Sequence, residues 1–134
     1  MDKVKINFRS YEEKDFYQIN ELNIQEKWSN LAEKAEETQK AWNNSNVKIV
    51  ACIEDKVIGY VRGLTDYNVT LYICELLIDK AYRGLGIGTE LLKLAHEKYP
   101  KTRMELLGSS SSHTYYEKLN FRSFYGHRKT ISEW

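Results

Sequence analysis

Seven residues with alternating glycines, Arg83-Gly84-Leu85-Gly86-Ile87-Gly88-Thr89, are the part of this chain best suited to chemistry. They follow its most continuous apolar run, residues 69–79, and open a segment in which Leu91, Leu92, Leu94 and Ala95 recur at helical spacing. The first amides of a helix have no intrahelical partner and sit at the positive end of its dipole. A strand-to-helix turn is therefore an anion site wherever the chain can approach closely. Glycine, lacking a Cβ and tolerating positive φ, lets consecutive amides curl around a phosphate, and Arg83 can add a charge-assisted contact. Three alternating glycines also carry an entropic cost that a plain turn does not require, which favours a bound anion over a simple reversal.

Two common phosphate sites do not fit. A nucleotide-hydrolysing P-loop needs Gly-Lys-Ser/Thr at the helix start, and Gly88-Thr89-Glu90 has no lysine there. The dinucleotide fingerprint needs a third glycine or alanine where Thr89 stands, and it belongs early in a βαβ unit, whereas this turn comes late. Glu75 is the sole ionisable residue inside the apolar run 74–78. An acid there needs a partner or a chemical role, as proton acceptor, direct or through a water, as holder of a cationic acceptor, or as half of a structural ion pair. Cys52 and Cys74 lie too far apart in sequence for a zinc or redox pair, and no metal site is expected. His96 reads as a surface residue of an amphipathic helix, and His113 and His127 stand alone.

The elements that must position these residues follow from periodicity. Val4, Ile6 and Phe8 alternate with polar residues as in a half-buried strand. Ser10, with Glu13 three positions on, opens a helix carrying Phe16, Ile19, Leu22 and Asn23, and a second helix is expected over 29–42. Residues 47–53 and 57–64, β-branched and joined by Glu54-Asp55-Lys56, form a hairpin. Asp66-Tyr67-Asn68 turns into the run 69–79, which is long enough for a central strand buried on both faces. Pro100 ends the helix after the glycine turn; a short strand over 103–107, a helix over 113–119 and a closing pair of strands from Phe121 complete the chain.

Length and charge bound the function. At 134 residues the chain is one domain, 1–134, and its net charge of +1 gives no electrostatic case for nucleic acid. No apolar leader and no run near the length of a membrane span is visible, which points to the cytoplasm and to no membrane partner. Acidic residues outnumber basic ones over 10–40, and the balance reverses over 80–134. A solvated surface accounts for this as well as an anionic ligand on the basic half and a cationic one near the acidic half.

Two signatures together resemble a known family. The segment 83–88 is similar to the Arg/Gln-x-x-Gly-x-Gly/Ala motif of the GNAT superfamily of acyl-CoA-dependent N-acetyltransferases, and Tyr115-Tyr116-Glu117-Lys118-Leu119-Asn120-Phe121 resembles its Phe-Tyr-Glu-Lys-Leu-Gly-Phe motif. The element order matches along nearly the whole chain. The resemblance implies an α/β (α+β) fold with a mixed, mostly antiparallel central sheet of six to seven strands flanked by about four helices. It implies acetyl-CoA as acyl donor, with its pyrophosphate on the turn from Arg83 through Gly84, Leu85, Gly86, Ile87 and Gly88 to Thr89 and its pantetheine arm along Leu76, Leu77 and Ile78. The Ile78 amide is then the donor to the thioester oxygen, Tyr116 the general acid and Glu75 the candidate base. A phenol of pKa about 10 stays protonated at neutral pH yet can donate to a thiolate.

Two positions depart from the pattern. Asn120 replaces the usual glycine, and asparagine tolerates the left-handed backbone expected there; Ser109-Ser110 stands where many members carry an asparagine facing the cofactor arm. Trp28, Trp42 and Tyr67 fall where the family builds its acceptor pocket, although packing explains the tryptophans equally well. The acceptor expected is a small cationic amine, or a lysine or N-terminal amine of a peptide. A catalytically idle module that binds acyl-CoA as a sensor is the alternative, and the oligomeric state stays open between monomer and homodimer.

Overall fold

The computed structural model describes residues 5–134. Five strands form one sheet in the order β1 (Asn7–Ser10), β2 (Val47–Ile53), β3 (Lys56–Thr65), β4 (Thr70–Ile78) and β5 (Arg103–Leu106). The first four pair antiparallel, and β5 lies parallel to β4. The helices are α1 (Phe16–Gln25), α2 (Ser29–Glu33), α3 (Ala35–Asn44), α4 (Ile87–Lys98) and α5 (His113–Lys118). Among the described residues no helix is long and apolar enough to cross a membrane.

Each face of the sheet buries one apolar cluster. Leu91, Leu92 and Ala95 of α4 pack with Ile49, Ala51, Leu71 and Ile73 on one side. Phe16, Ile19 and Leu22 of α1 and Trp42 of α3 pack with Val50, Tyr60 and Leu77 on the other. Burying these side chains supplies roughly 1.5–3 kcal/mol each. Asn23, fully buried on α1, accepts a hydrogen bond from the Tyr60 hydroxyl at 2.5 Å, while its Nδ2 has no hydrogen-bond partner among the described residues.

Several expectations need correction. Among the described residues the sheet has five strands, not six to seven, and there are five α-helices rather than about four. No strand forms after Phe121 among the described residues: Phe124 and Tyr125 are 84% and 97% exposed. The two aromatics are adjacent, so no single face of a strand could bury both. The helix expected over 29–42 is two, parted at Lys34, whose ψ of 46° is not helical. The box opening α1 joins Glu12 and Asp15, not Ser10 and Glu13. β1 begins at Asn7, and Val4 lies outside the described residues. β4 is not buried on both faces along its length. Only Leu71, Ile73 and Leu77 are buried, because its second half has no neighbour on one side.

That open half arises from an irregularity. Arg62 lies opposite Glu75 and Gly63 opposite Ile73, so Cys74 is an extra residue in β4. A bulge reverses the parity of the side chains after it and bends the strand. Leu71 and Ile73 face α4 before the bulge; Leu76 and Ile78 face it afterwards, and Glu75 and Leu77 turn to the α1 side. Pairing with β5 stops at the same point, with Ile73 opposite Leu106.

Candidate active site

The last stretch of β4 offers peptide groups that β5 does not use. The Asp79 N–H donates to the Ile58 carbonyl at 2.7 Å, so Asp79 and, two residues back, Leu77 point their peptide groups at β3. Alternation turns those of Leu76 and Ile78 the other way, into the gap. The Ile78 carbonyl is indeed met from that side, by Arg83 Nε at 3.0 Å.

A short turn, Lys80–Tyr82, capped by the Asp79 carboxylate on the Ala81 N–H at 3.0 Å, carries the chain from β4 to the glycines. Gly84 and Gly86 have φ of 81° and 79°, and a Cβ on either would meet nothing within 4 Å. Glycine is needed there for the left-handed backbone, and the space in front of both residues is open. Gly86 caps α4, whose first backbone bond is Glu90 N–H to the Gly86 carbonyl at 3.0 Å. The amides of Ile87, Gly88 and Thr89 precede that bond and point out of the helix end. Ile87 is buried in the core while Leu85 is exposed, so the turn is anchored at one residue and open at its crest. An open, positively polarised cradle beside a half-unpaired strand fits a diphosphate with an extended amide-bearing arm.

Gly88 has a different reason for being glycine. A Cβ there would stand 3.0 Å from the Tyr115 hydroxyl, with Leu76 and Ile78 side-chain carbons at 3.7 and 3.8 Å. That hydroxyl also lies 3.0 Å from Thr89 Oγ1, so α5 is tied to the first turn of α4 beside the gap.

Tyr116 stands next to it, half-buried. Its ring meets those of Tyr115 and Phe121 edge-on, at centroid distances of 5.2 and 5.6 Å. Burial, and secondarily Tyr115, pushes its pKa above the ordinary phenol value, which keeps the proton on. α5 ends as expected: Asn120 has φ of 68°, and the Phe121 N–H closes on the Tyr116 carbonyl at 3.1 Å.

Glu75 is engaged. Arg62 Nε and Nη2 reach its two oxygens at 2.6 and 2.5 Å, and Arg62 Nη1 donates to Ser45 Oγ at 3.1 Å. Both side chains are 13% exposed, so this is a largely buried, forked ion pair.

Arg83 is engaged as well: Nη2 meets Glu26 Oε2 at 2.5 Å. The structure thus brings Leu76, Ile78, the glycine turn, Thr89 and the Tyr115 hydroxyl together, with Tyr116 packed beside Tyr115 and with Leu77 and Glu75 on the opposite face of β4. It does not gather the three aromatics of the expected acceptor pocket. Trp42 is fully buried between Tyr11 and Tyr60, at 4.7 and 5.1 Å, and Tyr67 packs on Tyr99 beside the opposite end of β4. Trp28 packs half-buried against the α1-side cluster.

His96 is not a plain surface residue either, since its Nε2 lies 2.8 Å from the Thr102 carbonyl. Sequence reasoning missed Glu26 and Arg62, whose partners stand 57 and 13 residues away, with no local pattern to mark them. The doubled tyrosine, where the second motif usually has Phe-Tyr, was the visible signal for Tyr115.

Known proteins share this fold. Residues 11–121 match the acetyltransferase (GNAT) family. A protein of Deinococcus radiodurans R1 described as an acetyltransferase superposes with a TM-score of 0.76 at 20% identity, covering 98% of this chain and 92% of that one. Another so described, from Clostridium acetobutylicum and solved with acetyl-CoA, gives 0.74 at 16% identity, with coverage of 94% and 96%. An uncharacterized N-acetyltransferase of Methanocaldococcus jannaschii is 43% identical over 54 residues, 40% of this chain, which spans about a third (34%) of that curated relative's length. Strand gap, glycine turn and family match agree, and the chain belongs to the acetyltransferase (GNAT) family.

Proposed function

We propose that the chain transfers an acetyl group from acetyl-CoA to a primary amine by direct attack, without a covalent enzyme intermediate. The observation that supports this most is the half-unpaired end of β4, opening beside a glycine turn whose crest is free and whose first helical amides have no partner among the described residues. Acetyl-CoA supplies an activated thioester carbonyl. The turn from Arg83 to Thr89 holds the pyrophosphate through its amides, and Leu76, Leu77 and Ile78 run beside the pantetheine arm. The outward Ile78 amide donates to the thioester oxygen as negative charge develops there.

Tyr116, kept protonated by burial, delivers a proton to the departing thiolate. Glu75 is the carboxylate assigned to draw a proton from the attacking amine. Arg62 holds both its oxygens, so it acts through a bridging water or after that pair loosens. The sensor alternative shares the glycine turn but has no use for Tyr116.

Two measurements test the reading. Coenzyme A should raise the melting temperature, as any ligand of the folded state does. Acetyl-CoA with a panel of amines, polyamines, aminoglycosides and peptides should release free thiol. A thermal shift without thiol release on any acceptor would leave only the sensor, and no shift at all would remove both.

A further inference from the structure

The guanidinium expected to meet a phosphate is already shared. Arg83 Nη2 donates to Glu26 Oε2 at 2.5 Å and Nε donates to the Ile78 carbonyl at 3.0 Å, so one side chain joins the cap of α1 to the last residue of β4. Beside this bridge lies a cavity of about 290 Å³ lined by Leu22, Leu77 and Ile78 and by the charged Glu26, Lys27, Asp79 and Lys80. The two carboxylates there differ: Asp79 caps Ala81, whereas Glu26 has Arg83 as its ion-pair partner among the described residues.

We propose that Glu26 serves two cations in turn, Arg83 before the cofactor binds and an ammonium of the acceptor afterwards, and that the acceptor therefore carries a second positive charge a short spacer from its reacting nitrogen. This rests on the transferase reading above and names its substrate class. The driving step is competition. A diphosphate on the turn amides offers Arg83 more charge than one half-exposed carboxylate does, and a forked guanidinium matches phosphate oxygens well.

Once Arg83 turns, Glu26 loses its ion-pair partner in a cavity it lines with Leu22 and Leu77, beside the outward Ile78 peptide and with Asp79 balancing only one of Lys27 and Lys80. A half-exposed carboxylate released in this way gains modestly from a new counter-charge, which a second ammonium supplies and a methyl group cannot. The acceptor site is thus complete only in the cofactor-bound protein. Specificity for a dication arises from a residue that is hidden in the free one.

Calorimetric titration of coenzyme A into the wild type, E26Q and E90Q tests the first half. Glu90 lies in the first turn of α4 and is not paired with Arg83, so E90Q measures the effect of simply removing a negative charge near the turn. E26Q is expected to bind coenzyme A about fivefold more tightly than wild type, beyond any gain in E90Q, because a half-exposed pair no longer has to break. For the second half, 1,4-diaminobutane and butylamine are titrated into the coenzyme A-loaded protein. Wild type should prefer the diamine by about fivefold or more, E26Q should show no preference, and E26D should retain part of it.

Coenzyme A affinity lowered or unchanged in E26Q, or equal affinity of the wild type for both amines, overturns the proposal while leaving the transferase reading intact. A wild type that does not bind coenzyme A overturns both. Melting temperatures of the variants, expected within a few degrees of wild type for half-exposed Glu26, show that each is folded.

Discussion

Tyr115 and Thr89 share a hydrogen bond, Oη to Oγ1 at 3.0 Å, across the first turn of α4, and the absence of a side chain on Gly88 leaves room for it. Alanine normally stabilises a helical position over glycine by about 0.5–1 kcal/mol. At Gly88 the added methyl would sit 3.0 Å from the Tyr115 hydroxyl and push it off Thr89. Gly88→Ala is therefore expected to give no gain, or a small loss. In a Tyr115→Phe background, where the hydroxyl is gone, it should give the full gain of about 0.5–1 kcal/mol. Urea unfolding of the four proteins in this cycle checks it. An equal effect of the alanine in both backgrounds would detach the glycine from the tyrosine.

Arg62 and Glu75 predict a separation of stability from turnover. Glu75→Gln leaves a guanidinium without its counter-charge in a place only 13% exposed, and the expected loss is about 3 kcal/mol or more. Replacing both partners, Arg62→Met with Glu75→Leu, removes the buried charges together and should return stability to within about 1–2 kcal/mol of wild type. Activity should not return if the carboxylate handles a proton. A double variant that regains both stability and thiol release would reduce Glu75 to a brace between β3 and β4.

The turn, the five strands and the order of the elements were legible in the sequence because each rests on local rules. Alternating glycines before a helical repeat mark the strand-to-helix turn. β-branched runs mark β2 and β3, and Asn120 signals a left-handed residue by its type. The run through Glu75 was misread as buried on both faces because apolar content is visible and a bulge is not. One extra residue at Cys74 changes which side chains share a face, and nothing in the residue types announces it. The charged partners were hidden for the same reason. Glu26 and Arg83 meet only because α1 ends above the end of β4, a relation of packing across 57 residues. Beyond Phe121 the opposite error arose. A closing pair of strands was expected there, but with Phe124 and Tyr125 exposed no buried face holds one in place.

Asp15 predicts the acid side of the stability curve. Burial on its own would raise its pKa, but two Arg9 N–H groups at 2.7 Å and the Glu12 amide at 2.8 Å hold the carboxyl below the ordinary carboxylate range. A pKa lower in the folded than in the unfolded chain means that the ionised form stabilises the fold. That contribution is complete above about pH 4 and is lost as pH falls through the lower, folded value. Asp15→Asn should cost roughly 1–3 kcal/mol at pH 7 and should flatten the decline below pH 4 relative to wild type. Unfolding curves from pH 7 to pH 2 on both proteins read the difference. Parallel curves would mean that the Arg9–Asp15 pair contributes nothing that protonation can remove.

Tyr116 predicts the alkaline side of the rate. Burial first, and then Tyr115 beside it, raises the phenol above the usual value of about 10. A general acid works only while protonated, so its contribution is lost as pH rises through its pKa, and a raised pKa moves that fall to higher pH. The kcat of the wild type should therefore show no decline from this group until above about pH 10. Tyr116→Phe should lower kcat by about 10²–10⁴-fold and leave the KM for acetyl-CoA within a few-fold. Tyr115→Phe is the internal control. It removes the hydroxyl bonded to Thr89 and keeps the ring that packs on Tyr116, so its kcat should stay within about tenfold of wild type. The two phenols are neighbours with different surroundings: the Tyr115 hydroxyl is bonded to Thr89, and Tyr116 holds the tyrosine position of the second motif. Were Tyr115→Phe the slower variant, the acid would be the hydroxyl at Thr89, and Tyr116 would be a core ring held by Phe121.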